Sequence, residues 1–128
     1  MTREELKAHI EEVYGVTAEH PWKDDMTDEV FRRRDSGKWF GLIMQIPRRY
    51  LGLGEGEMTV LNVKCEPFMA AGLVRDDGIY PAYHMNKTHW ITLDLAAAGD
   101  EKIKVLVDVS YSLVAPKRRR SPAADGDL

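Results

Sequence analysis

The chain has little cysteine, no long apolar run and no excess of positive charge. Cys65 is the only cysteine, so no intrachain disulfide can form and a reducing compartment, the cytoplasm, is expected. No apolar run approaches the roughly 20 residues of a membrane-spanning helix, and the first residues lack the apolar core of a secretory signal. The net charge of −3 weighs against a protein built around the phosphate backbone, since such proteins are usually basic.

The composition is that of one ordinary globular domain, with 44% hydrophobic and 30% charged residues. We assign the domain to residues 1–116, expect a monomer, and expect the polar tail 117–128 to be disordered. The charge is unevenly distributed. Residues 1–30 hold three basic and nine acidic side chains, whereas residues 31–65 hold seven basic and three acidic ones. The local field can therefore differ in sign from the total charge.

Periodicity and breakers predict three helices and four strands. Thr2 and Glu5 form a capping-box pattern for a helix that ends at Gly15. Two further helices are expected from Pro67 to the Asp76-Asp77-Gly78 stop and from Asp100, as its cap, to about Leu113. Strands are predicted over 30–34, 38–46, 58–64 and 89–95, with a hairpin turn at 35–37 and a loop at 81–87. The order α-β-β-β-α-β-α favours an α+β two-layer sandwich, in which an antiparallel sheet carries its helices on one face.

Five segments of the chain resemble the MmcQ/YjbR family. They are 20–22 (HPW), 31–40 (FRRRDSGKWF), 61–67 (LNVKCEP), 83–91 (YHMNKTHWI) and 110–114 (SYSLV). The resemblance spans roughly residues 3–117, and the composition of the fourth segment makes it specific. It implies a fold similar to CyaY, the bacterial frataxin, and a double-wing DNA-binding module. Fold similarity alone does not imply an iron function.

The segment 83–90 is the first candidate site. His84, Asn86, Lys87 and Trp90 combine imidazole, amide, ammonium and indole groups, which can stack on a base, bond its edge and neutralise a phosphate. The same set could bind a small anionic ligand. A purely structural interpretation is also open: Tyr83 and Trp90 belong to the core, and His84 and Asn86 satisfy backbone groups of a tight turn.

Basic residues along the predicted strands are the second candidate site. Arg32, Arg34, Lys38 and Lys64 are expected to meet phosphates if the strands bring them to one open sheet face. An ordinary solvated face with arginine stems over apolar area is the alternative. The basic run 117–120 adds a tethered cluster, which could equally be a solubilising tail.

No catalytic set, cofactor site or metal site emerges from the sequence. Cys65 lies beside apolar residues, and His84 and His89 lack the glutamate of a zinc hydrolase helix. We therefore expect a non-enzymatic module that binds duplex DNA weakly and in a salt-sensitive way. A small-ligand or protein-interaction domain, and frataxin-like metal handling by the acidic first helix, are the alternatives.

Overall fold

In the computed structural model, which describes residues 1–24 and 26–117, three α-helices pack on one face of a five-stranded sheet. The elements are α1 (Arg3–Tyr14), β1 (Glu29–Arg32), β2 (Trp39–Pro47), β3 (Glu57–Lys64), α2 (Pro67–Leu73), β4 (Ile79–Pro81), β5 (Trp90–Asp94) and α3 (Asp100–Leu113). A short 3₁₀ helix, Arg48–Leu51, follows β2. The predicted tail 117–128, with its basic run, lies outside the described residues except for Lys117.

The sheet is antiparallel throughout, in the order β1-β2-β3-β5-β4. The predicted α+β fold and the order of its longer elements are confirmed. The short edge strand β4 was missed because three residues ending in Pro81 carry no readable alternation. Its pairing with β5, with Ile79 opposite Leu93, defines it as a strand.

The first helix forms as its sequence indicates. The Thr2 hydroxyl accepts the Glu5 N–H at 3.1 Å, while the Glu5 carboxylate accepts the Thr2 N–H at 2.8 Å. Gly15 ends the helix with a φ of 67°. The predicted cap of α3 is wrong by one residue, since Gly99 occupies the cap and Asp100 is the first helical residue.

The helices bury the inner face of the sheet. Leu6, Ile10 and Ile103 from α1 and α3 pack there against strand residues such as Phe31 and Leu61. Ser110 of α3 is fully buried and joins two strands: its hydroxyl donates to the Phe40 carbonyl at 2.7 Å and accepts the Lys64 N–H at 2.8 Å.

The outer face of the sheet is also buried, and the expectation that this face is open is wrong. Its floor consists of Val30, Leu42, Met44, Ile46, Met58 and Val60. Two segments cover it, 48–53 through Leu51 and Leu53, and 82–89 through Tyr83 and Met85. The outer face needs a cover because β2 is apolar on both faces. This pattern is typical of strands that are covered on both sides. Within the described residues, none of the helices has the length and apolarity needed to cross a bilayer.

Candidate functional site

A pocket opens on the outer face between β2 and two loops. It has a volume of about 260 Å³. Strand β2 provides Trp39, Leu42 and Met44. The loop before β1 and the loop 82–89 supply the other four lining residues, Trp22, Asp28, His84 and Met85. We call this site the tryptophan pocket. Its walls are mostly apolar, with one carboxylate and one imidazole.

A β-bulge places Trp39 in the pocket floor. Phe31 pairs with Gly41 and Arg32 with Trp39, so Phe40 is an extra residue in β2. A Cβ atom on Gly41 would lie 3.3 Å from Phe31 and 3.4 Å from the side chain of Leu61, so Gly41 faces the inner core, as does Phe40. Trp39 consequently returns to the outer face beside Leu42.

A buried hydrogen-bond network holds the loop 82–89 against the sheet. The Thr92 hydroxyl donates to the Asn62 side-chain oxygen at 2.5 Å and accepts the Tyr83 N–H at 2.8 Å. The Asn62 side-chain nitrogen donates to the Tyr83 carbonyl at 2.8 Å. Because both backbone groups of Tyr83 are bonded to the sheet, the adjacent residue His84 is fixed at the pocket wall.

His84 has an unusual backbone conformation. Its φ of 63° is in the left-handed region. Among the described residues, His84 is the one residue other than glycine with a positive φ. Such conformations are uncommon for residues with a Cβ and concentrate at functional sites. Its ring packs on Tyr83 with centroids 4.0 Å apart, and Tyr83 stacks on Tyr50 at 5.5 Å. Burial raises the pKa of the Tyr83 phenol, and the nearby Tyr50 adds to the shift.

Two indole rings meet at the pocket. Trp22 and Trp39 have centroids 6.3 Å apart and planes at 86°, the edge-to-face arrangement that aromatic rings prefer. Trp22 is 45% exposed and makes its ring contact with Trp39, so much of the indole is available at the pocket mouth.

The structure does not gather the predicted basic residues into one patch. Arg32 forms an ion pair with Glu19 at 2.5 Å, and this hydrogen-bonded pairing lowers the pKa of Glu19. Strand β1 ends at Arg32, so Arg34 lies in the hairpin turn with Lys38 and the strand alternation assumed for it is wrong. Lys87 lies beside β4, the edge strand on the other side of the sheet from β1. Four strand spacings separate these two edges, which places Lys87 about 19 Å from the strand that carries Arg32.

Several predicted residues do share one end of the outer face. Arg32 pairs across with Trp39, and Lys64 pairs across with Trp90. Lys64 is half-buried, two residues beyond Asn62 on that face. Asn86, in the loop 82–89, is used within its own turn, since its side-chain oxygen accepts the Thr88 N–H at 2.7 Å.

Sequence reasoning missed most of the tryptophan pocket. Of the lining residues, only His84 was predicted to be a binding residue. Trp39, Met44, Met85 and Asp28 were not predicted to bind. The available signal was the apolar character of β2 on both faces, which requires that something cover the outer side.

The described residues contain no cluster of three or more His, Cys, Asp or Glu side chains that could hold a metal ion. The acidic first helix uses Glu5 in its capping box. Cys65 is buried, and this burial raises the pKa of its thiol, which disfavours the reactive thiolate.

The fold and the pocket define a class of small α+β domains whose antiparallel sheet is covered on both faces. The chain belongs to the YjbR family, whose model matches residues 11–113. This confirms the family resemblance read from the sequence.

Known relatives agree with this membership. The uncharacterized protein YyaQ of Bacillus subtilis (strain 168) is 37% identical over 115 residues, which cover 88% of this chain and 98% of YyaQ. A crystal structure of a Pseudomonas syringae protein matches with a TM-score of 0.87 at 36% identity, over 90% of this chain and 100% of that one. A Deinococcus radiodurans crystal structure matches with a TM-score of 0.68 at 22% identity, over 98% of this chain and 86% of that one, and shows the shared fold.

Proposed function

We propose that the chain is a non-catalytic binding module that takes an apolar, ring-sized group into the tryptophan pocket. The observation that carries the proposal is the pocket itself, an open hollow with two indoles and two methionine side chains on a sheet face that is otherwise covered. Concave apolar sites with a few polar groups are the usual form of ligand sites. The lining is mostly apolar, with Asp28 and His84 as its polar groups, which supports a binding role.

The pocket size limits the ligand. A volume of about 260 Å³ is slightly below the usual range for drug-sized ligands. A cavity of about 150 Å³ accepts benzene, so one or two rings fit here. The occupant is therefore a small molecule or a single projecting side chain of a partner. A ligand of about ten heavy atoms is expected to bind with a Kd of roughly 0.1–1 mM.

The three tryptophans provide a test with an internal control. Trp22 and Trp39 line the pocket, whereas Trp90 lies outside it. We expect that titration of ¹⁵N-labelled protein with indole shifts the side-chain N–H signals of Trp22 and Trp39 in a saturable way and leaves Trp90 unchanged. No shift up to the solubility limit of indole, or equal shifts of all three signals, contradicts the proposal.

A methionine pair supplies matched variants for the same titration. Met85→Ala removes a pocket side chain, and Met69→Ala removes a methionine that is 40% exposed on α2. We expect Met85→Ala to weaken indole binding severalfold and Met69→Ala to leave it unchanged. Equal effects of the two substitutions would show that indole binds elsewhere.

Nucleic-acid binding is the second candidate, favoured by the outer-face end where Arg32 lies opposite Trp39 and Lys64 opposite Trp90. Aromatic planes interleaved with cations are typical of surfaces that bind single strands by stacking and phosphate contact. This arrangement favours single-stranded over duplex nucleic acid, and the pairing of Arg32 with Glu19 supports weak affinity.

Salt dependence and a lysine pair test this second candidate. We expect weak binding of a 12-nucleotide single strand that loses affinity between about 50 and 200 mM salt, with duplex binding weaker still. Lys64→Ala should reduce it more than Lys87→Ala, since Lys64 pairs across from Trp90 on the outer face, whereas Lys87 lies in the loop beside β4. Fluorescence anisotropy that shows no salt dependence, or tighter duplex binding, contradicts the candidate.

A further inference from the structure

A second hollow lies beside β4, where the loop 82–89 meets the edge of the sheet. It has a volume of about 270 Å³, and we call it the tyrosine pocket. Its polar lining is Tyr50, Tyr80, Tyr83 and Lys87, and its apolar lining is Leu51, Pro81 and Ala82. We propose that it binds an organic anion with an apolar body and an oxyanion head, a carboxylate or a phosphate. The tyrosine pocket shares no lining residue with the tryptophan pocket, so the inference goes beyond the proposed function.

The fold brings the three tyrosine rings together from separate segments. Tyr80 of β4 pairs across from Thr92, whose hydroxyl accepts the Tyr83 N–H on the outer side of the sheet, so Tyr80 faces that side too. Tyr50, from the 3₁₀ helix, stacks on Tyr83 with centroids 5.5 Å apart and planes at 26°. The sheet and the ring stack therefore hold the three tyrosines in place.

The polar groups of the tyrosine pocket have no partner within the part of the chain that the structure describes. The three phenol hydroxyls make no hydrogen bond there, and the Lys87 ammonium makes neither a hydrogen bond nor an ion pair. Elsewhere such groups are used by the fold: the Tyr14 hydroxyl donates to Asp108 at 2.9 Å, and Lys7 pairs with Glu29. A ligand that displaces water from the tyrosine pocket can therefore accept several hydrogen bonds.

The charges at the tyrosine pocket favour an anion over a cation. Lys87 is the charged residue of a lining that contains no aspartate or glutamate. Arg49 lies over the Tyr50 ring, with its guanidinium carbon 5.2 Å from the ring centroid, and has no carboxylate partner among the described side chains. It adds a second positive charge and already makes the cation–π contact that a cationic ligand would form at Tyr50. Burial, with a smaller effect of the nearby Tyr50, raises the pKa of Tyr83, so this phenol keeps its proton and can donate it in a hydrogen bond.

The mixture of groups also fits an amphipathic anion. Hydrogen bonds from hydroxyl and ammonium groups to an ionised acceptor are roughly twice as strong as neutral ones. The apolar lining and the tyrosine rings can cover the body of the ligand. A cavity of about 150 Å³ accepts benzene, so an aromatic ring with one charged head fits the tyrosine pocket.

Benzoate and its uncharged analogue benzamide test the inference on the unmodified protein. Tyr50, Tyr80 and Tyr83 line the pocket, whereas Tyr14 and Tyr111 lie on α1 and α3 and serve as internal controls. In protein with ¹³C-labelled tyrosine, we expect benzoate to shift the three pocket rings in a saturable way and to leave the two control rings unchanged. Benzamide should bind at least about fivefold more weakly. Equal binding of the two probes, or equal shifts of all five rings, overturns the inference.

Two substitutions separate the charge from the hydroxyl. Lys87→Gln should weaken benzoate binding about fivefold or more and leave benzamide unaffected, while Lys104→Gln, on α3, removes the same charge outside the pocket and should change neither. Tyr80→Phe keeps the ring and should weaken benzoate binding about threefold. This variant also assigns the site, because Lys87 lines a neighbouring hollow beside α2 that contains no tyrosine. Thermal melts establish that the variants are folded, and unchanged benzoate affinity in Lys87→Gln and Tyr80→Phe contradicts the proposal.

Phenyl phosphate identifies the head group, since the tighter binder of benzoate and phenyl phosphate is the class of oxyanion that the tyrosine pocket recognises. The indole titration keeps the two proposals distinguishable. If indole shifts Trp22 and Trp39 while neither anion shifts the pocket tyrosines, the inference fails and the proposed function stands. If an anion shifts the pocket tyrosines while indole does not bind, the proposed function fails and the inference stands.

Discussion

Replacement of Thr92 by valine tests how the sheet positions the pocket wall. Thr92 is fully buried, and its hydroxyl makes two hydrogen bonds, to Asn62 and from the Tyr83 N–H. Valine keeps the shape and removes both bonds. The Tyr83 N–H loses its acceptor, and the Asn62 side-chain oxygen loses a donor.

The expected cost follows from these two groups. A net hydrogen bond contributes about 1 kcal/mol, and a buried polar group left without a partner costs about 1–3 kcal/mol. We therefore expect Thr92→Val to lower the free energy of unfolding by about 2–4 kcal/mol. The loop 82–89 should also loosen, because Tyr83 precedes His84 in the pocket wall.

Urea denaturation followed by tryptophan fluorescence measures the loss, and hydrogen exchange at the Tyr83 amide measures the loosening. Thr59→Val is the matched control, since Thr59 is half-buried on β3 and lies outside the network. A loss below about 0.5 kcal/mol, or unchanged exchange at Tyr83, would refute the argument that this network holds the pocket wall.

Three further outcomes are expected. Gly78→Ala should lower the free energy of unfolding, measured by urea titration, by about 3 kcal/mol or more, because φ at Gly78 is 79° and the new Cβ would lie 2.5 Å from the Ala98 nitrogen. Gly54→Ala is the control: its φ is 90° but a Cβ there meets open space, so it should cost only about 1 kcal/mol. Burial raises the pKa of the Glu29 carboxyl, but hydrogen bonds from Lys7 and Arg3 outweigh this and hold the pKa below the ordinary 4.5. The stabilising contribution of Glu29 is therefore present above pH 4.5 and is lost as the pH falls through the lowered pKa. Urea midpoints should drop on acidification, and Glu29→Gln should flatten that drop. Ser110→Ala should destabilise the domain by about 2 kcal/mol in the same assay, because the Lys64 N–H loses its acceptor and the Phe40 carbonyl loses its donor. A variant with wild-type stability would contradict this.

Local signals predicted most of the fold. The capping box at Thr2, the stop at Gly15 and the Pro67 start act over a few residues, so the sequence exhibits them directly. The strand β4 depends on pairing with β5, and the bulge at Phe40 depends on packing against both faces, so neither has a local signature.

The candidate site was harder to predict for the same reason. Trp22, Trp39 and His84 come from three separate segments, and contact between them requires the sheet order and the cover over the outer face. Charge alone pointed to Arg32, but its neutralisation by Glu19 depends on the bridge that places Glu19 beside Val30 in β1. The continuous apolar run of β2 was the visible indication that both faces are covered.

The most direct test of the binding pocket uses the six methionine methyl groups as reporters. Met44 and Met85 line the pocket, while Met69 lies on α2. With ¹³C-methyl-methionine protein and excess indole, we expect intermolecular NOEs from the ligand to the Met44 and Met85 methyls and none to that of Met69. NOEs to Met69, or to neither pocket methionine, would contradict the assignment of ligand binding to the tryptophan pocket.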